Sequence, residues 1–187
     1  MIRFLLPKLY APSLLSLTPL ELRRRGIKAL ILDLDNTLVP RGEEKVDPSV
    51  KSWVESLKRQ SFKLCVVSNN TYGKGAGPIQ ELGVPAVFRA VKPFPWAFRR
   101  ALELLGTRPE ETAVVGDQLF TDVLGGNLLG LYTILVPSLK GPDFIATRLL
   151  VRPVERLVWR WICSKVPRLQ EPVPRKTELR SSCRTGG

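Results

Sequence analysis

A chain of 187 residues, 44% hydrophobic and 25% charged, has the length and composition of one globular domain with a real core. It contains no histidine, which excludes a Ser-His-Asp triad, a Cys-His pair and an imidazole-built zinc site. Acid–base work is left to carboxylates, lysine, tyrosine, cysteine or a metal-bound water.

The net charge of +12 sits at the two ends. Residues 1–28 carry six basic residues and one acid, and residues 143–187 carry ten and four. Residues 29–142 carry thirteen and twelve, so the middle is nearly neutral. Basic ends attract nucleic acid or an anionic membrane surface, although ordinary solubility charge has the same appearance.

In chain order, residues 1–28 read as a basic and apolar N-terminal extension. Pro7, Pro12 and Pro19 interrupt any continuous apolar helix, and no small-residue cleavage site follows, so no signal peptide is expected. The Phe4-Leu5-Leu6 and Leu14-Leu15 stretches are either a membrane-facing lip or core cover. No run of eighteen apolar residues occurs, so no transmembrane helix is expected. Cys65, Cys163 and Cys183 are odd in number and lack a C-x-x-C spacing, which suggests a reducing compartment.

Residues 29–142 alternate short apolar runs with helical periodicity. Ala29-Leu30-Ile31-Leu32 predicts a buried strand ending in acids. Asp47-Pro48 opens a helix whose apolar face is Val50, Trp53, Val54 and Leu57. Lys63–Val67 predicts the second strand, Pro78–Leu82 a short helix, and Ala86–Phe88 a third, short strand. A helix follows from Pro95 to Leu105, then a strand over Thr112–Val115, a helix over 119–129 and a fifth strand over Leu131–Val136. Continuous rather than alternating hydrophobicity in strands separated by helices implies a parallel sheet covered on both faces. The fold class is α/β, a single Rossmann-like domain. Residues 143–166 read as a basic C-terminal helical region and 167–187 as a polar, disordered tail.

Ligands of open α/β sheets bind beyond the carboxyl ends of the strands. There the sequence sets Asp33-Leu34-Asp35-Asn36-Thr37, Ser68-Asn69-Asn70, Lys92-Pro93 and Gly116-Asp117 with Asp122 one turn later. Four carboxylates, a lysine and two hydroxyls in one crevice have no place in an apolar core. Phosphoryl transfer accounts for the set. A carboxylate attacks phosphorus to form an acyl-phosphate, provided that magnesium on hard oxygen ligands and a lysine neutralise the phosphoryl oxygens. Asp33 and Asp35 are two apart, so both face one site if the strand is still extended there.

Asp33-x-Asp35-x-Thr37, Ser68, Lys92 and Gly116-Asp117 with Asp122 resemble, in order, the four motifs of the haloacid dehalogenase-like (HAD) phosphatases. That resemblance implies Asp33 as nucleophile and Asp35 as the acid that protonates the leaving group and then deprotonates water. It implies Thr37, Ser68 and Asn69 as phosphate contacts and Lys92 as their countercharge. Mg2+ would be held by Asp33, the backbone carbonyl of Asp35 and Asp117, with Asp122 supporting. Aspartate rather than threonine at position 35 favours hydrolysis over a long-lived acyl-phosphate.

Superfamily members select substrates with inserted cap domains. Here 32 residues separate Asp35 from Ser68 and 23 separate Ser68 from Lys92, so no cap is expected and a large substrate suits the crevice. In residues 154–162, Val154, Leu157, Val158 and Trp161 fall at i, i+3, i+4, i+7, and Arg152, Arg156 and Arg160 line another side. That pattern is an interfacial helix or one docking its stripe on the domain. The Leu6-Pro7-x-Leu9 start, Gly26-Ile27-Lys28, Asp33–Val39, Ser68-Asn69-Asn70, Lys92-Pro93 and Gly116–Val123 resemble the YqeG family of class IIIA phosphatases. That family is similar to mitochondrial and plastid phosphatidylglycerophosphatases. The resemblance implies removal of the terminal phosphate of phosphatidylglycerophosphate, an anionic phospholipid, yielding phosphatidylglycerol. With the cysteine pattern and the basic ends, a cytoplasmic protein, peripheral on the inner face of the membrane, is expected. Two alternatives stand beside it: an uncapped phosphatase for soluble, protein or nucleic-acid phosphates, and a non-catalytic nucleic-acid- or ribosome-binding protein.

Overall fold

A computed structural model describes residues 2–71, 76–139 and 152–169. The expected tail beyond 169, Cys183 and residues 143–151 of the C-terminal region lie outside the described residues. Six parallel strands form one sheet: β1 (Leu9–Tyr10), β2 (Ala29–Leu32), β3 (Lys63–Val67), β4 (Ala86–Val87), β5 (Thr112–Gly116) and β6 (Tyr132–Leu135). Their order is β1-β6-β5-β2-β3-β4. The chain runs outward from β2 through β3 to β4, then returns to β5 on the other side of β2. The switch point therefore lies between β2 and β5, whose carboxyl ends carry Asp33 and Asp117.

Alternate residues of each strand enter two different helical layers, which is why the runs are apolar throughout. Leu30, Leu32, Leu64, Val66, Ala113 and Val115 face α2 (Pro48–Arg59) and α3 (Ala76–Leu82). Ala29, Ile31, Cys65, Val67 and Val114 face α4 (Pro95–Leu105). The segments between Asp35 and Ser68 and between Ser68 and Lys92 hold only α2, β3, α3 and β4 among the described residues, and neither contains a cap there.

The N-terminal residues belong to this core. Leu9 and Tyr10 pair with Ile134 and Leu135 as an edge strand, and Leu14, Leu17 and Leu22 are buried. Trp53 donates its indole N–H to the Leu17 carbonyl at 2.8 Å, fastening the segment to α2. Of the two readings left open for this stretch, core cover describes Leu14 and Leu17, whereas Phe4 and Leu15 stay exposed. A short helix α1 (Pro19–Arg24) follows, capped by Thr18. At the far end, the Tyr10 N–H donates to the Pro167 carbonyl and the Tyr10 carbonyl accepts from the Leu169 N–H, so residues 167–169 extend along β1 where the sequence suggests the start of a tail.

The expected helix over 119–129 is two elements. Leu119–Val123 is a π-helical turn and α5 spans Leu124–Leu128. The Gln118 carbonyl accepts from both Asp122 and Val123, and such wide turns are frequent at functional sites. The last helix, α6 (Arg152–Ile162), packs Ile162, Val158 and Trp159 against Leu119, Val123 and Leu135.

Candidate active site

Asp33 follows the last residue of β2, its N–H still bonded to the Val115 carbonyl at 2.9 Å. Its carboxylate is buried and pairs with the ammonium of Lys92. The same ammonium donates to Asp122 Oδ1 at 2.7 Å. Asp33, Asp117 and Asp122 each bring a carboxylate oxygen within 4.8 Å of the others, all three buried. Three carboxylates against one ammonium leave a formal charge of −2 in a buried space, if all are ionised. Hard oxygen donors with that charge fit a divalent cation such as magnesium.

Burial pulls the Lys92 ammonium down, but Asp122 and Asp33 outweigh it and hold its pKa above the ordinary lysine value. Burial pushes Asp122 up and its carboxylate neighbours Asp33 and Asp117 add to that, against the opposing pull of Lys92. Asp122 is fixed in place as well as crowded. The Gln118 N–H and the Thr121 hydroxyl both donate to its Oδ2 at 3.3 Å.

Asp35 sits apart from this cluster, half-buried, accepting from Asn70 Nδ2 at 2.7 Å. Burial raises its pKa and the charge of Asp33 adds to the rise, while Asn70, Arg41 and Lys92 oppose it. Two neighbouring carboxylates thus have different surroundings, one salt-bridged and one held by a neutral amide.

Ser68 is fully buried at the end of β3, its hydroxyl accepting from the Asn70 N–H at 3.1 Å. Asn69 Oδ1 accepts the Lys92 backbone N–H at 2.8 Å, tying the β3 loop to the lysine loop. Arg89 and Val91, at φ 50° and 47°, hold that loop in the left-handed region. A β-branched residue there is strained, and such strain persists where the surroundings impose it. The Thr37 hydroxyl is buried with no hydrogen-bond partner among the described residues. The structure therefore brings Asp33, Asp117, Asp122 and Lys92 together and sets Asp35 beside them. Asn70, which holds Asp35, and Glu155, whose carboxylate accepts the Phe120 N–H at 3.1 Å, were not among the expected site residues.

A cavity of about 440 Å³ lies at the opposite, amino end of the strands, lined by Arg23, Lys28, Lys63 and Glu111 among others. Its cations are engaged: Arg23 on the Gln60 carbonyl, Lys28 on Glu111 and Lys63 on the Leu105 carbonyl. The reactive groups are all at the other end.

The HAD-hydrolase-like family profile matches residues 90–141. Fold, crevice and match define a HAD-type phosphatase. The probable phosphatase YqeG of Bacillus subtilis is 38% identical over 156 residues, 83% of this chain and 90% of that protein. The chain belongs to the YqeG family of HAD-like phosphatases. The mitochondrial phosphatidylglycerophosphatase of Saccharomyces cerevisiae is 30% identical over 148 residues, 70% of this chain and 79% of that one. The Arabidopsis thaliana chloroplastic/mitochondrial phosphatidylglycerophosphate phosphatase 1 is 26% identical over 86% of this chain and 49% of its own length. One solved structure superposes with a TM-score of 0.56 at 18% identity, covering 83% of this chain and 92% of that one, a likeness of fold.

Proposed function

We propose that the protein is a magnesium-dependent phosphomonoesterase that acts through an aspartyl-phosphate on Asp33 and converts phosphatidylglycerophosphate to phosphatidylglycerol. The observation that carries the chemistry is the buried Asp33 at the strand end, paired with Lys92 and clustered with Asp117 and Asp122, with Asp35 held separately by Asn70.

Asp33 attacks phosphorus and the ester P–O bond breaks. Asp35 delivers its proton to the departing alkoxide, so the alcohol leaves neutral. Asp35 then takes a proton from the water that attacks the acyl-phosphate, releasing phosphate and restoring Asp33. Lys92 supplies countercharge to the phosphoryl oxygens, and the Ser68 and Thr37 hydroxyls donate to them. Asp33, Asp117 and Asp122, with the Asp35 carbonyl, are the residues that would hold magnesium. When bound, it adds positive charge against the phosphoryl oxygens.

The lipid substrate is supported by the names of the yeast and plant relatives. It is supported also by the uncapped crevice and by Val91, Phe94 and Trp96, exposed apolar side chains flanking Lys92 in the chain. A cytoplasmic enzyme at the inner face of the membrane follows from that reading. The test is magnesium-dependent phosphate release from phosphatidylglycerophosphate in detergent micelles, set beside a generic aryl phosphate. Asp33→Asn is expected to fall to background and Asp35→Asn by roughly 10²–10⁴-fold. Lipid turnover no faster than aryl phosphate turnover refutes the substrate. Activity that survives Asp33→Asn refutes the mechanism.

A further inference from the structure

The C-terminal helix α6 has two apolar faces, and the fold uses one. Glu155 is buried and accepts the Phe120 N–H at 3.1 Å, on the turn that carries Asp122. Ile162 is buried against Leu119, Val123 and Leu135, and Trp159 lies 5.3 Å from Tyr10 between ring centroids. The stripe visible in the sequence divides accordingly. Val158 turns toward the domain, whereas Val154, Leu157 and Trp161 are 49%, 59% and 73% exposed. Spaced i, i+3, i+7, these three share one side of the helix.

We propose that this outer face of α6 docks on an anionic lipid bilayer. Charge selects that occupant. Of the four charged residues of α6, three are arginines and the one acid, Glu155, is turned inward. Arg160 is exposed beside the apolar stripe, and exposed Lys165 follows it. A short helix with tryptophan and leucine on one side and cations beside them is suited to the headgroup boundary, where the apolar residues enter and the cations meet lipid phosphate. A second copy of the chain fits less well. A two-fold contact would set the same patch against itself and bring like charges together. The purpose of such a surface, bringing the crevice to a lipid phosphate, rests on the lipid-substrate reading; the surface itself does not.

The full chain is to be sedimented with substrate-free vesicles of phosphatidylcholine alone and of phosphatidylcholine with phosphatidylglycerol in equal parts. Wild type is expected to pellet with the anionic vesicles and to be released by added salt. The double variant L157E/W161E is expected to lose about tenfold in bound fraction, since each change sets a carboxylate where an apolar group enters an anionic interface. Its circular dichroism and melting are expected to match wild type, because both side chains already face water. Binding by the double variant equal to wild type overturns the proposal, as does wild type that prefers neither vesicle. Wild type that elutes as a dimer, with a monomeric double variant, assigns the face to a second copy instead. Because no turnover is measured, failure of lipid hydrolysis in micelles and failure of vesicle binding are separate results.

Discussion

Gly116 is required by the carboxylate that folds back over it. A Cβ at this position would fall 2.3 Å from both Cγ and Oδ2 of Asp122, a distance no relaxed structure holds. Asp122 is fixed by the Gln118 N–H, the Thr121 hydroxyl and Lys92, so Gly116→Ala must displace it from the lysine. Misplacing a charged group by about 1 Å in such a site lowers the rate on the order of 10²-fold. The expected outcome is a kcat/KM on aryl phosphate reduced by about that factor, with an unchanged far-UV spectrum. Activity within a few-fold of wild type would show that the crevice tolerates the shift. Asp33, Asp35 and Asp117 are legible in the sequence because each stands at the end of an apolar strand run, where a buried carboxylate has no use in packing, and Asp122 is legible from its place one turn after Asp117. Asn69 and Asn70 are less so. Asparagine after a strand is a turn residue by default, and nothing in the linear sequence says that the Asn70 amide reaches back to Asp35 or that Asn69 receives the Lys92 backbone.

Helix α2 begins where Asp47-Pro48 says it should. Asp47 Oδ1 accepts from the Ser49 N–H at 2.8 Å and from its hydroxyl at 2.5 Å, and these bonds, the hydroxyl first, lower its pKa. A carboxyl with a folded pKa below its unfolded one adds stability above the unfolded value, about 3.9. That contribution fades as pH falls through the lower folded value. Asp47→Ala is therefore expected to lower Tm at pH 7, by a difference that shrinks as pH falls below about 3.9. Thermal melts across that range check it, and a pH-independent difference would mean that the charge contributes nothing. Elements with a long period are the ones the sequence declares: α2, α4 and the four-to-five-residue strands. The two-residue β1 carries no period to detect. The π-helical turn looks like ordinary helix because its extra residue is accommodated by the Gln118 carbonyl, not by an unusual side chain. On α6 the strongest apolar stripe is not the docked one, since a buried glutamate bonding a backbone N–H anchors the other side.

At the scale of the whole molecule, Cys65 reports on whether the sheet opens as one unit. Its strand β3 is paired on both edges, to β2 and to β4. Its side chain is fully buried in the layer facing α4. Burial pushes the Cys65 thiol up to about 12, so at pH 8 the reactive thiolate is only about 10⁻⁴ of the population even before access is considered. Cys163, in the short turn after α6, is half-buried and not enclosed in the sheet. Alkylation with iodoacetamide at pH 8, mapped by peptide mass, is expected to modify Cys163 in the folded protein and to leave Cys65 untouched. Across a urea series, pulsed modification of Cys65 should then follow the loss of far-UV ellipticity with the same midpoint, because no smaller opening frees a strand paired on both sides. A Cys65 midpoint well below the ellipticity midpoint would mean that β3 and β4 part from β2 as a separate unit. The crevice, built from the ends of β2, β3 and β5, would then be lost before the fold, and phosphatase activity in urea would track the thiol.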